Sequence, residues 1–194
     1  MKTIADLHIH SRFSMATSKE GTPENLDFWA RKKGISLIGT GDFTHPVWRE
    51  ELKERLVTEG NGLYHLRDEY VKEESRKFPG EGTHFVVSGE ISSIYKKNGK
   101  TRKVHNVILL PSLEAADAMA QRLEKIGNIH SDGRPILGLD SHDLLEMMLD
   151  VCPEGILIPA HIWTPHFSVL GAKSGFDSVE ECFEELTPYV HCLL

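Results

Sequence analysis

The sequence predicts a parallel α/β sheet or barrel built as one domain. Three observations lead there. Short, almost wholly apolar runs such as ISLIGT (35–40) and GILIPAH (155–161) read as buried parallel strands. Amphipathic helical stretches alternate with them, the pattern of βαβ units. Polar residues gather where the strands end, which is where parallel barrels carry their active face.

In chain order, residues 2–7 form the first expected strand and 11–20 a polar loop. Thr22-Pro23-Glu24-Asn25 opens a helix, because Thr22 suits the N-cap and Pro23 the first helical position. Leu26, Trp29 and Ala30 give it an apolar stripe, and Gly34 after Lys32-Lys33 ends it. With 35–40 as the next strand this is one βαβ unit. Pro46-Val47-Trp48 opens a second helix, expected to run to about Val57. Residues 64–78, charged and weakly periodic, are expected as a peripheral helix. A third strand region follows at 84–93. Asn98-Gly99 is the strongest short hairpin signal in the chain, and 104–110 is the strand beyond it. Leu, Ala and Met at helical spacing mark 113–126, and 128–139 is a loop rich in Gly, Asp and Pro. A short helix at 140–149, which Asp140 can cap, leads to the strand 155–161. A long loop (162–176) precedes a helix at 178–186 with a capping box of Ser178 and Glu181. Residues 189–194 are expected as a final strand. The count is about six strands, without a repeat, a low-complexity tract or a linker.

A chain of 194 residues can bury one sizeable core. Its 40% hydrophobic and 26% charged content suits a globular protein in water. No apolar run reaches bilayer length, and Asp6, His8 and His10 interrupt the only run where a signal peptide could sit. The expected location is the cytoplasm. Cys152, Cys182 and Cys192 are widely spaced, which argues against a disulfide framework or a cysteine zinc knuckle. The net charge of −7 offers nucleic acid no overall attraction, so binding it needs a local basic patch.

Ala5-Asp6-Leu7-His8-Ile9-His10 reads as a strand ending in two histidines. Side chains two apart on a strand share a face, so His8 and His10 can reach one ion together. Alone, such a pair is equally two ordinary polar residues at a strand end. Asp42, His45, Glu90 and His161 also lie at or just beyond strand ends, and His105 lies in the strand after the hairpin. Imidazole and carboxylate without thiolate suit Zn²⁺, Mn²⁺ or Fe²⁺, and a carboxylate such as Glu90 can bridge two ions. Such a pair suits phosphoester hydrolysis.

These residues fall in longer motifs. DLHIHS (6–11), GTGDFTHP (39–46), SGEIS (88–92), VHNV (104–107), LGLDSHD (137–143) and PAHIWTPHFSVLGAKSGFDS (159–178) resemble the polymerase and histidinol phosphatase (PHP) family, in its endonuclease Q-like branch. The resemblance covers almost the whole chain. It implies a distorted (βα)7 TIM-like barrel with a cluster of two to three metal ions. By motif, His8 and His10 hold the first ion, Glu90 bridges to a second, and His105 and His161 complete that one; these five are the implied catalytic set. Asp42 or His45 stands where the family often has an Asp-His pair for a third ion. The family's closing Asp-x-His has no counterpart after Tyr189, where His191 reads as a core residue. The resemblance therefore implies a single PHP domain over 1–194, incomplete at its C-terminus, with the last strand or strands and two ligands missing.

Lys96, Lys97, Lys100, Arg102 and Lys103 crowd into the hairpin before His105. They form either a solvated turn or a grip on a nucleic-acid backbone. Trp163 either caps the core or stacks on an unpaired base, and Lys173 in the same loop is a candidate phosphate contact. His65, His84, His130 and His142 have no motif behind them and read as surface or supporting residues. The resemblance implies a DNA repair endonuclease that cuts on the 5′ side of a deaminated base or an abasic site, with a UvrD-type helicase as a domain or partner. The alternatives are a small-molecule phosphatase of the histidinol phosphatase kind, and a truncated remnant that binds metal or DNA without turnover.

Overall fold

The structure is a computed structural model and describes residues 3–80 and 82–194. The expected start of the first strand at Lys2 lies outside the described residues. One long strand is the spine of the sheet. β5 (His84–Lys97) and β6 (Lys100–Leu110) form an antiparallel hairpin. It turns at Asn98-Gly99, whose φ values of 54° and 72° are the left-handed pair a two-residue hairpin needs. Along the first part of β5, β2 (Leu37–Gly39) pairs parallel and β4 (Tyr64–Leu66) antiparallel. β1 (Ala5–Asp6) lies parallel to β2, and β3 (Leu56–Thr58) antiparallel to β4. Farther along, β7 (Ile136–Leu137) pairs parallel with Ser92 and Ser93, and β8 (Ile156–Pro159) pairs antiparallel with β6. Among the described residues these eight strands make a mixed, curled half-barrel sheet.

Helices form where the capping signals stand. α1 (Pro23–Lys33) starts at Thr22, whose hydroxyl accepts from the Asn25 amide at 3.4 Å. α2 (Pro46–Arg55) follows His45. α3 (Leu113–Glu124) starts at Ser112. α4 (Ser141–Val151) is capped by Asp140, which accepts from the His142 amide at 2.9 Å. α5 (Val179–Phe183) is capped by Ser178. Such caps contribute about 1 kcal/mol each.

The structure corrects the sequence reading in four places. The sheet is mixed rather than parallel, because the Asn98-Gly99 turn reverses the chain inside the spine. The segment 64–78 is not a helix. Tyr64 and Leu66 are buried while His65 is exposed, a period of two that makes β4; two short 3-10 turns (Asp68–Tyr70 and Ser75–Lys77) follow. Residues 189–194 do not form a strand. A 3-10 turn containing Pro188 runs to Tyr189; beyond it Val190 packs against the core, and Leu194 makes backbone bonds with Pro159 of β8 and with Ile162. His191 is exposed, not core.

The two faces of the hairpin divide the labour. Phe85, Val87 and Ile91 alternate along β5 and face the same side as Leu110, Ile108 and Val104 of β6. That side packs into the core with Met119 and Leu123 of α3 and Leu144, Leu145 and Met148 of α4. Each such burial contributes about 1.5–3 kcal/mol. The other side carries Ser88, Glu90 and Ser92 opposite Leu109, Val107 and His105. The candidate site stands on that second face.

Candidate metal centre

Glu90 is the hub. It lies mid-strand on β5 and is buried. Four imidazoles surround its carboxylate. His8 Nε2 lies 3.1 Å and His105 Nδ1 2.9 Å from Oε1, and His161 Nε2 lies 3.6 Å from the same oxygen. His10 Nε2 lies 3.3 Å from Oε2. Each histidine arrives by a different route. His8 and His10 follow β1, two residues apart. His105 is paired across the hairpin with Ser92, on the same face as Glu90. His161 follows β8, and its φ of 34° is left-handed, a conformation that a residue with a Cβ adopts only where its surroundings hold it. That turn breaks the strand alternation and brings the ring back over the site.

Two groups of three donors result, His8–His10–Glu90 and Glu90–His105–His161, with the donor atoms of each group within 4.8 Å of one another. The fit to metal is tested by the shared oxygen. Glu90 Oε1 is buried with three imidazole nitrogens around it, yet none is aligned to give it a hydrogen bond. A buried carboxylate oxygen left this way costs free energy, and a divalent cation shared with those nitrogens removes the cost. Imidazole and carboxylate donors suit a divalent ion, and the donor set fits one.

The electrostatics follow from the crowding. Burial pushes the Glu90 carboxyl up, but His10, His105 and His8 outweigh it and hold it well below the ordinary carboxylate range. Burial pulls His10 down, but its contacts with Asp42 and Glu90 reverse this and push it up to about 9. Burial and the neighbouring His105 lower His161. His161 Nδ1 in turn meets the Thr164 hydroxyl at 3.1 Å, and His105 Nδ1 stands 3.3 Å from His161 Nε2.

Asp42 does not join either donor group. Its Oδ1 meets His10 Nδ1 at 2.9 Å, and its Oδ2 accepts from the Ser11 amide and hydroxyl at 2.7 and 2.6 Å. It therefore fixes the ring that presents Nε2 to Glu90, as an outer carboxylate does for a metal-binding histidine. His45 also stands apart. It is buried, stacked on Phe13 with ring centroids 4.2 Å apart, and burial lowers its pKa. Among the described residues no third donor group forms around either of them.

The hairpin cations separate by strand alternation. Arg102 shares the core side, where it is buried over the Phe176 ring and bonded to the Gly175 carbonyl and Glu181. Lys97 is on the same side and pairs with Glu184 at 2.6 Å and Asp140 at 3.4 Å. Both are engaged inside the fold. Lys96 and Lys100 are exposed near the tip, and Lys103 lies over the Phe167 ring on the site face. Trp163 is 78% exposed, so it does not cap the core. Lys173 is exposed in the same loop.

One neighbour of Glu90 escaped the sequence reading. Arg134 Nη1 donates to Glu90 Oε2 at 3.3 Å from the 128–139 loop. Nothing but its place in a Gly/Asp/Pro loop marked it. Ser11 and Ser14 are further supports, the latter 3.3 Å from His10 Nδ1.

Comparisons with known proteins bear on the fold as a whole. No known family profile matches the sequence. A protein of Methanocaldococcus jannaschii whose own role is uncharacterized is 34% identical over 175 residues, which is 90% of this chain and 18% of that protein. Among solved structures, the lesion-specific endonuclease PfuEndoQ of Pyrococcus furiosus matches with a TM-score of 0.75 and 27% identity over 94% of this chain. Endonuclease Q in complex with a 27-mer duplex bearing an abasic lesion matches at 0.72 and 28%, over 93% of this chain. The chain spans 40% of the length of either. A candidate metal-dependent phosphoesterase from Bifidobacterium adolescentis, 14% identical with a TM-score of 0.59 over 98% of this chain and 76% of that one, shares the fold. The structural neighbours of this chain are thus endonuclease Q and, in fold, a metal-dependent phosphoesterase.

Proposed function

We propose that this chain is the metal-binding part of a cytoplasmic phosphoesterase that cuts DNA beside a deaminated base or an abasic site. The observation that supports it most is Glu90, whose one buried carboxylate faces two imidazoles from the N-terminal segment, one from β6 and one from the turn after β8. That arrangement suits two divalent ions sharing a bridge, with Zn²⁺, Mn²⁺ and Fe²⁺ all compatible, and the likeness to endonuclease Q supports DNA as the substrate. His8, His10, Glu90, His105 and His161 are the residues proposed to hold the ions. When bound, such ions supply Lewis-acid charge and lower the pKa of water. The chain's own part is to orient. Asp42 fixes the His10 tautomer and Thr164 braces His161. Lys96, Lys100, Lys103 and Lys173 add positive charge outside the site, and Trp163 offers a stacking surface. The barrel count of seven belongs to the same reading. The comparisons give no support to a helicase partner.

The test uses the protein at its full natural length, loaded with Mn²⁺ or Zn²⁺. Duplexes carrying uracil, hypoxanthine or an abasic site should be nicked on the 5′ side of the lesion, and a Glu90→Gln variant should not nick them. Turnover of a phosphomonoester without any nicking would overturn the DNA reading in favour of a phosphatase.

A further inference from the structure

We infer that Arg134 is a substrate-binding residue that grips a non-bridging oxygen of the phosphate being cut. The inference rests on the phosphoesterase reading above and names the group that recognises its substrate.

Three observations carry it. First, the position is built. The Gly133 amide donates to the Phe13 carbonyl at 3.0 Å, and the Thr44 hydroxyl donates to the Gly133 carbonyl at 3.0 Å. On the other side, the Ser92 amide donates to the Pro135 carbonyl at 3.0 Å. The Arg134 amide itself is held by the Asp132 carboxylate at 2.9 Å. Residues on both sides of Arg134 are thus tied to the first loop, to the segment after β2 and to β5. Gly133 also packs against Asp42 with no room for a side chain, since a Cβ there would stand 2.3 Å from Asp42 Oδ2.

Second, the guanidinium reaches the same Glu90 oxygen as His10, on the side of the first donor group. Third, its donors are nearly unspent. A guanidinium carries five N–H groups, and within the described residues Glu90 is the one carboxylate paired with this one. The side chain is only partly covered, with 36% of its surface exposed. Once Glu90 shares its charge with cations, the planar fork can turn to a phosphate, whose oxygens its N–H groups match.

The test compares wild type, Arg134→Ala and Arg134→Lys in the metal-loaded protein. Metal content is measured by mass spectrometry, affinity for inorganic phosphate by calorimetry, and kcat and KM wherever there is turnover. The expected result for Arg134→Ala is a loss of phosphate affinity of about 10–100-fold, with metal content and unfolding temperature unchanged. Arg134→Lys, which keeps the charge but not the fork, should recover part of it. Unchanged phosphate affinity, or a loss of metal that accounts for the whole effect, overturns the inference and leaves Arg134 as a partner of Glu90 alone. If wild type nicks no DNA but phosphate affinity still depends on Arg134, this inference stands and the endonuclease reading is the one that fails.

Discussion

Glu90 and Ile91 are neighbours in β5 with opposite tasks. Ile91 points into the core between the sheet and α3 and α4, and is fully buried. Glu90, one residue earlier, is buried almost as completely, but against four imidazoles and an arginine. The pleat of one strand therefore separates a face whose apolar contacts hold the fold from a face whose charged contacts gather donors for a cation. Stability and chemistry can be altered separately here by moving a single position.

The largest expected effect breaks the chemical face. Glu90→Gln removes the charge that both donor groups share. Removing one partner from a buried charge cluster costs roughly 3–5 kcal/mol, or about 10²–10⁴ in metal affinity. Metal analysis should find both ions depleted. Ile91→Ala should do the converse. It leaves a cavity in the core and should cost about 2–5 kcal/mol in denaturant unfolding, with metal stoichiometry intact at low temperature. If Ile91→Ala lost metal as readily as Glu90→Gln, the division between the faces would be false.

A finer test lies one layer out. Gly133→Ala forces a methyl group onto the Asp42 carboxylate, which holds His10 in register. Loss of such an outer support typically costs 10–100-fold in metal affinity. Competition with a chelator would measure it, and an affinity equal to wild type would show that Asp42 does not position His10.

The site is also expected to respond to pH. His10, pushed up to about 9 by Asp42 and Glu90, carries a proton in the metal-free protein at neutral pH. Its ion pairs stabilise the metal-free fold fully below the ordinary histidine value of 6.5, and that contribution is lost as pH rises through about 9. Metal must displace the proton, so affinity should rise with pH over that window, by up to about tenfold per unit for one proton. The gain in unfolding temperature on adding metal should therefore widen from pH 6.5 to 9. A gain independent of pH would show that His10 is not a ligand.

Much of this was legible in the sequence because strand alternation is local. His8 and His10 share a face by spacing alone, and His161 follows an apolar run that marks its strand. Glu90 was expected at a strand end and instead lies mid-strand, because β5 runs on into the hairpin, where alternation puts it on one face with His105. Other features depend on distant contacts. Arg134 reaches the site because Gly133 closes against Asp42, a contact no spacing predicts. β4 is three residues long, too short for its period to outweigh the charged residues around it. The hairpin cations lay between these cases. Once Asn98-Gly99 sets the register, alternation assigns Arg102 and Lys97 to the side of Ile91, yet a count of charges reads them as one basic patch.

That assignment gives the smallest expected effect. Lys96 is exposed and on the site face, and Arg102 is buried and bonded on the other. If DNA is the substrate, Lys96→Ala should weaken duplex binding and lower the slope of log affinity against log salt by about 1, with stability changed by less than about 0.5 kcal/mol. Arg102→Ala should leave that slope alone and lower stability, because Phe176 loses the guanidinium stacked on it and Glu181 and Gly175 lose a donor. A salt slope that fell for Arg102→Ala and not for Lys96→Ala would reverse the two faces and remove the hairpin from the DNA path.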